Sequence, residues 1–172
     1  MNTYMAWNPS IEVESAHGVR EVFLETRHLM NRILFLKGEI TAESANDFLS
    51  QYLFLENESE DPITIYIHSN GGEVNAGLMI YDIIQSSKLQ INMICTGMAA
   101  SMAAIILASG QPGRRYILPH SRVMIHEPLI ADGVGGSATS IKNLSVLESL
   151  LSTSSLVWYM ALLLAIMVDV PT

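Results

Sequence analysis

Ile63-Thr64-Ile65-Tyr66-Ile67-His68, then Ser69-Asn70-Gly71-Gly72, then Ala76, Met79, Ile80, Ile83 and Ile84 at helical spacing, form the stretch that decides the fold. The alternating β-branched residues predict a strand, the glycine pair a tight turn, and the spaced apolar residues a helix. The same unit follows at once. Ile91 to Cys95 reads as a strand, Thr96-Gly97-Met98-Ala99-Ala100 as a small-residue corner, and Ser101 to Ala108 as a helix closing at Gly110. Consecutive strand-helix units imply a parallel sheet with right-handed crossovers, so the class is α/β.

Upstream of this region, Arg32 to Leu36 is a short apolar run ended by Gly38 and reads as a buried strand. Thr41 is placed to cap a helix in which Ala45, Phe48, Leu49 and Tyr52 share one stripe, and an acidic loop from Glu56 to Asp61 follows. Residues 1–28 have no sustained period, and Trp7-Asn8-Pro9-Ser10 reads as a turn, so this segment is expected to be a flexible arm. Downstream, short strands are expected near Arg115 to Ile117 and Arg122 to Ile125, the latter ending at His126. A flexible loop over residues 132–136 and a long helix over residues 140–168 complete the chain. That helix is apolar all round from Leu156 to Val168, which is too short for the roughly 20 residues of a membrane span. Burial against another subunit is the favoured expectation and a membrane anchor the lesser one.

The chain has 172 residues, the size of one domain. Hydrophobic residues make up 49% and charged residues 15%, so much of the surface is expected to be buried, including between subunits. The formal charge of −8, with no Lys/Arg cluster, argues against nucleic acid as a partner. A single Cys95 cannot form an internal disulfide and no secretory signal pattern opens the sequence, so a cytoplasmic setting is expected.

Ser101 stands where a strand turns sharply into a helix, between Ala99 and Ala103, and only small residues permit such a turn. This is the logic of a nucleophile elbow, with Ala-Ala-Ser-Met-Ala in place of Gly-x-Ser-x-Gly. A serine at a helix start also serves as an N-cap, and spacing alone favours that role. The Gly71-Gly72 pair offers N–H groups without side-chain obstruction, and Met102 follows Ser101, so two backbone donors are available for an oxyanion. The same pair also serves as a plain strand-to-helix connection. A base for a serine is offered by His68, His120 or His126, all placed at strand ends, and spacing does not choose among them.

Three ordered runs carry a family resemblance. Gly71-Gly72-Glu73-Val74-Asn75-Ala76-Gly77, Thr96 to Ala104, and Leu118-Pro119-His120-Ser121-Arg122-Val123-Met124-Ile125-His126-Glu127-Pro128 resemble the Clp protease proteolytic subunit (ClpP) family. The resemblance spans about residues 32–139. It implies a ClpP/crotonase-like spiral of ββα units with a handle-type C-terminal helix. It divides the chain into an arm over residues 1–28, in family terms a segment for an axial pore, a catalytic core over residues 29–139, and the handle region over residues 140–172. By this likeness Ser101 is the nucleophile, His126 the general base, and the N–H groups of Gly72 and Met102 the oxyanion hole, while His120 has no catalytic role.

The resemblance further implies a serine endopeptidase that cleaves unfolded polypeptides inside stacked rings of its own subunits, fed by an AAA+ unfoldase that consumes the ATP. No cofactor and no metal are expected for the chain itself. The sequence departs from the family in two places. His68-Ser69-Asn70-Gly71-Gly72 replaces Asn-Ser-Pro-Gly-Gly, which turn chemistry tolerates. The family's triad aspartate has no clear match, since Asp132 lies in the loop and Asp169 at the end of the long helix. Loss of that carboxylate costs about 10⁴ in kcat in the serine-protease template. The C-terminus is therefore expected to be truncated or divergent, and a catalytically weak or inactive structural subunit of a mixed ring is the alternative.

Overall fold

The computed structural model describes residues 8–15 and 18–126. The expected loop at 132–136, the long helix at 140–168, and both Asp132 and Asp169 lie outside the described residues.

The first element is a hairpin, β1 (Ser10–Ser15) against β2 (Gly18–Phe23), antiparallel with Ile11 opposite Val22 and Val13 opposite Arg20. The Leu24 N–H closes its base by donating to the Pro9 carbonyl, at 2.9 Å. A short helix, α1 (Leu24–Met30), follows and packs on β3 through the edge-to-face contact of His28 with Phe35. The segment that the sequence reads as an unpatterned arm thus contains regular structure among its described residues. The alternation of Ile11 and Val13 with Glu12 and Glu14 is the local signal, too short and too polar to stand out.

The body of the chain is a parallel sheet with helices on one face. Its elements are β3 (Ile33–Ile40), α2 (Ala42–Glu58), β4 (Ile63–Gly72), α3 (Val74–Ser86), β5 (Ile91–Ala100), α4 (Met102–Ala108), β6 (Arg115–Ile117) and β7 (Arg122–Met124). The strand order is β3-β4-β5-β6, and β7 also pairs with β5, every pairing being parallel. Strand β5 holds β4 along one edge. Its other edge pairs β6 at Met93 to Cys95 and β7 at Met98 to Ala100.

Helix α2 starts where its cap dictates. The Thr41 hydroxyl accepts from the Ser44 N–H and the Ser44 hydroxyl accepts from the Thr41 N–H, a reciprocal box that satisfies two donors left over by the helix start. The helix runs to Glu58, so the first part of the predicted acidic loop is helical. Its stripe of Ala45, Phe48, Tyr52 and Leu55 is buried, as are Ala76, Ile80 and Ile84 of α3. They meet the inward residues of the sheet, Leu34 and Leu36, Ile63, Ile65 and Ile67, and Ile91, Met93 and Cys95, in one core. The opposite face carries Phe35, Tyr66, Ile94 and Tyr116 in one register row, with Phe35 stacked on Tyr66 at 5.7 Å.

The predicted glycine turn at Ser69 to Gly72 and small-residue corner at Thr96 to Ala100 are both strand. Glu39 and Ile40 pair with Gly71 and Gly72, and Ser69 pairs with Ala99. The register shifts twice to allow this, between Lys37 and Glu39 of β3 and between Ile67 and Ser69 of β4, so each strand continues through a bulge. The sequence locates these irregularities but not their pairing, because the partners that extend the strands come from distant parts of the chain. Among the described residues no helix is long and apolar enough to cross a membrane.

Candidate functional site

The site lies where β4 and β5 end. Strand β5 gives way to α4 at Ser101, whose backbone stands at φ 54°, ψ −124°. This is a conformation that non-glycine residues rarely adopt, at a cost of about 1–3 kcal/mol. A capping serine has an extended backbone, and its oxygen accepts from an N–H of the first helical turn. Ser101 does neither. Its backbone lies outside that region and its side chain makes no capping bond, so the hydroxyl is left uncommitted among the described residues. The capping role that spacing favoured is not the one this serine has. The Ser101 N–H donates to the Met124 carbonyl at 2.8 Å, which carries the β5–β7 ladder up to the elbow and holds it there.

Gly71 and Gly72 press against this turn. A β-carbon on Gly71, where φ is +93°, would lie 2.7 Å from Ser101 Cβ, 2.8 Å from the Ala100 carbonyl oxygen and 3.1 Å from Met102 N. One on Gly72 would overlap the Ile40 carbonyl group. The pair is glycine because neighbouring strands leave no room for a side chain. The Glu73 N–H donates to the Ile40 carbonyl at 2.8 Å, toward β3. Successive N–H groups of a strand point to opposite sides, so the Gly72 N–H is turned toward β5 and the elbow. On the other side, Met102 opens α4, where no preceding turn supplies a carbonyl to its N–H. Close packing at Gly77 of α3, where a β-carbon would lie 3.1 Å from Met102 Cβ, fixes the start of that helix.

The three candidate histidines part company here. His126 follows β7 by two residues. Met124, the last residue of β7, pairs with Ala100 next to the elbow, and the His126 side chain is exposed. His120 is exposed in the turn between β6 and β7, which the Ser121 N–H closes on the Leu118 carbonyl at 2.8 Å. His68 is not at a strand end but within β4, and its Nδ1 lies 2.7 Å from the Thr96 carbonyl oxygen. A carbonyl only accepts, so Nδ1 carries a proton and is committed to stitching β4 to β5.

Cys95 is buried in β5, and burial pushes its thiol up to about 11. It is protonated at neutral pH and inert. No group of three or more His, Cys, Asp or Glu side chains with metal-binding potential occurs among the described residues.

Sequence reasoning missed Ser69. It reads as a turn residue, yet it is buried, and its hydroxyl bridges β3 and β4 by donating to the Gly38 carbonyl at 2.6 Å and accepting from the Gly71 N–H at 3.0 Å. Its place in the inward alternation after Ile63, Ile65 and Ile67 is the signal that could have found it.

A parallel sheet with helices packed on it, a glycine pair and a strained strand-to-helix serine at neighbouring strand ends defines an α/β protein of the elbow type. A comparison with protein-family models matches the chain to Clp protease over residues 17–155, and the chain belongs to that family of peptidases, with the ClpP fold.

Proposed function

We propose that this chain is the proteolytic subunit of an ATP-dependent Clp-type protease, a serine endopeptidase acting on unfolded polypeptides. The observation that carries the reading is the strained elbow at Ser101, with its hydroxyl free of any capping bond. Ser101 Oγ attacks the peptide carbonyl carbon and gives its proton to His126. The Gly72 and Met102 N–H groups hold the negative charge that develops on the carbonyl oxygen. The C–N bond then breaks, the leaving amine takes the proton from His126, and an acyl ester remains on Ser101. Water, deprotonated by His126, attacks the ester and releases the carboxylic acid product and the serine. No step calls for a metal or organic cofactor.

In this reading copies of the chain stack as rings around a chamber in the cytoplasm, and an AAA+ unfoldase delivers substrate with its own ATP. The test is covalent labelling of the full chain by a fluorophosphonate. Labelling is expected to vanish in Ser101→Ala. It is expected to slow by about 10²–10⁴ in His126→Ala, the usual contribution of a general base, and to change little in His120→Ala. A chain that does not label, but assembles with an active subunit, would instead be a structural member of a mixed ring.

A further inference from the structure

Two glycines in succession are the least constrained pair a chain can have, yet the proposed oxyanion donor belongs to one of them. Something must hold Gly72 in place. The ladder does not do it alone, because the β3–β4 register shifts between Lys37 and Glu39, pairing Lys37 with His68 but Glu39 with Gly71. A register shift disrupts the ladder locally, here beside Gly38 and Gly71.

The Ser69 hydroxyl reaches both of these groups. It lies among the inward residues of β4, 2% exposed, where a hydroxyl without partners would be costly. Its two bonds go to the Gly38 carbonyl, across the bulge, and to the Gly71 N–H, one residue before Gly72. Gly71 is in turn against Ser101 and Met102, as the contacts of its absent β-carbon record. A single buried hydroxyl therefore links β3, at the register shift, to the peptide that contacts the elbow. Asn70, which is exposed, has no comparable part.

We infer that Ser69 is a positioning residue, whose buried hydroxyl fixes the Gly71-Gly72 peptide so that the Gly72 N–H faces the oxygen developing above Ser101. The inference rests on the assignment of Ser101 as nucleophile and the Gly72 N–H as oxyanion donor. Alanine at position 69 fits the space but leaves the Gly38 carbonyl and Gly71 N–H without this partner. The donor then shifts by a fraction of its bond length, and such misplacement costs up to about 100-fold in rate.

The test uses the full chain, hydrolysis of a short fluorogenic peptide, fluorophosphonate labelling and a thermal melt, on wild type and Ser69→Ala. The expected result is a kcat lower by about 10- to 100-fold with KM within about twofold of wild type, because the donor acts on the transition state and not on the bound substrate. Labelling slows in parallel, and the variant remains folded at the assay temperature. If Ser69→Ala does not fold, Ser69→Cys is read in the same way, since it fills the site with a weak donor and acceptor. Wild type that labels at Ser101, with a Ser69 variant that keeps kcat within twofold, overturns this inference and leaves the nucleophile assignment standing. A fall in activity that only tracks the unfolded fraction, or failure of both variants to fold, makes Ser69 a stability residue and overturns it as well. A wild-type chain that does not react at Ser101 overturns both.

Discussion

Replacing Gly71 by alanine puts the packing at the elbow to a direct test, because the chain contains its own control. Gly71 and Gly113 both have positive φ, +93° and +74°, but a β-carbon at Gly113 meets nothing within 4 Å. At Gly71 it meets Ser101 Cβ at 2.7 Å and the Ala100 carbonyl oxygen at 2.8 Å, atoms that cannot swing away. Gly113→Ala therefore carries only the backbone cost, about 1–3 kcal/mol. Gly71→Ala carries the same cost plus overpacking of about 1–3 kcal/mol, for a total of about 2–6 kcal/mol. Urea unfolding followed by circular dichroism, at one fixed protein concentration, measures the difference. With a slope of about 1–3 kcal/mol per molar, 2 kcal/mol of overpacking moves the midpoint by about 1 M. Fluorophosphonate labelling of the folded fraction should fall as well, since relief of the clash moves Ser101 or Met102. Equal midpoints for the two variants would mean that the glycine pair does not bear on the elbow, and the argument built on that contact would fail.

Two further outcomes follow from other features of the site. Ser101→Gly should be more stable than Ser101→Ala by about 1 kcal/mol, because glycine relieves the positive φ of the elbow at some cost in chain entropy, whereas alanine keeps the strain; equal denaturation midpoints would remove the case for strain. Cys95, with its thiol raised from 9.0 to about 11, holds about 100-fold less thiolate near pH 8 than the unfolded chain. Its alkylation by iodoacetamide in the folded chain should be at least that much slower and should rise with pH toward 11, and a rate matching that of the urea-unfolded chain would refute the burial of this thiol.

What was legible in the sequence was what short-range pattern records. The alternation at Ile63 to Ile67, the stripe from Ala45 to Tyr52 and the cap at Thr41 each depend on neighbours within a turn or two, and each element is where its pattern put it. The pairing of the strands through the two register shifts was not legible. Beside them the Ser69 hydroxyl donates to the Gly38 carbonyl and the Gly97 N–H donates to the Ser121 hydroxyl at 2.6 Å, contacts between residues far apart in the chain. The same distance explains His68, whose ring binds Thr96, a partner that sequence spacing gives no reason to choose. For Ser101 the sequence supplied two roles, and spacing alone favoured the cap.

The elbow conformation speaks against the cap, because a cap and a nucleophile make opposite demands on the backbone. A cap needs an extended residue, which is available without strain, and nothing in a strand-to-helix junction obliges the chain to depart from it. Here the departure is enforced from several directions. The Met124 carbonyl holds the Ser101 N–H, Gly71 lies against its β-carbon, and Gly77 admits Met102 close to α3. Ala99, just before, is paired with Ser69 on one side and Val123 on the other. Strain of this kind persists only where the surroundings over-determine it, and it gathers at sites where it has a use. The use available here is to set a hydroxyl free at the end of a sheet, beside two backbone N–H groups and the strand that leads to His126. A nucleophile, the role proposed for Ser101, has a use for such a hydroxyl, and a capping serine would have no need of it.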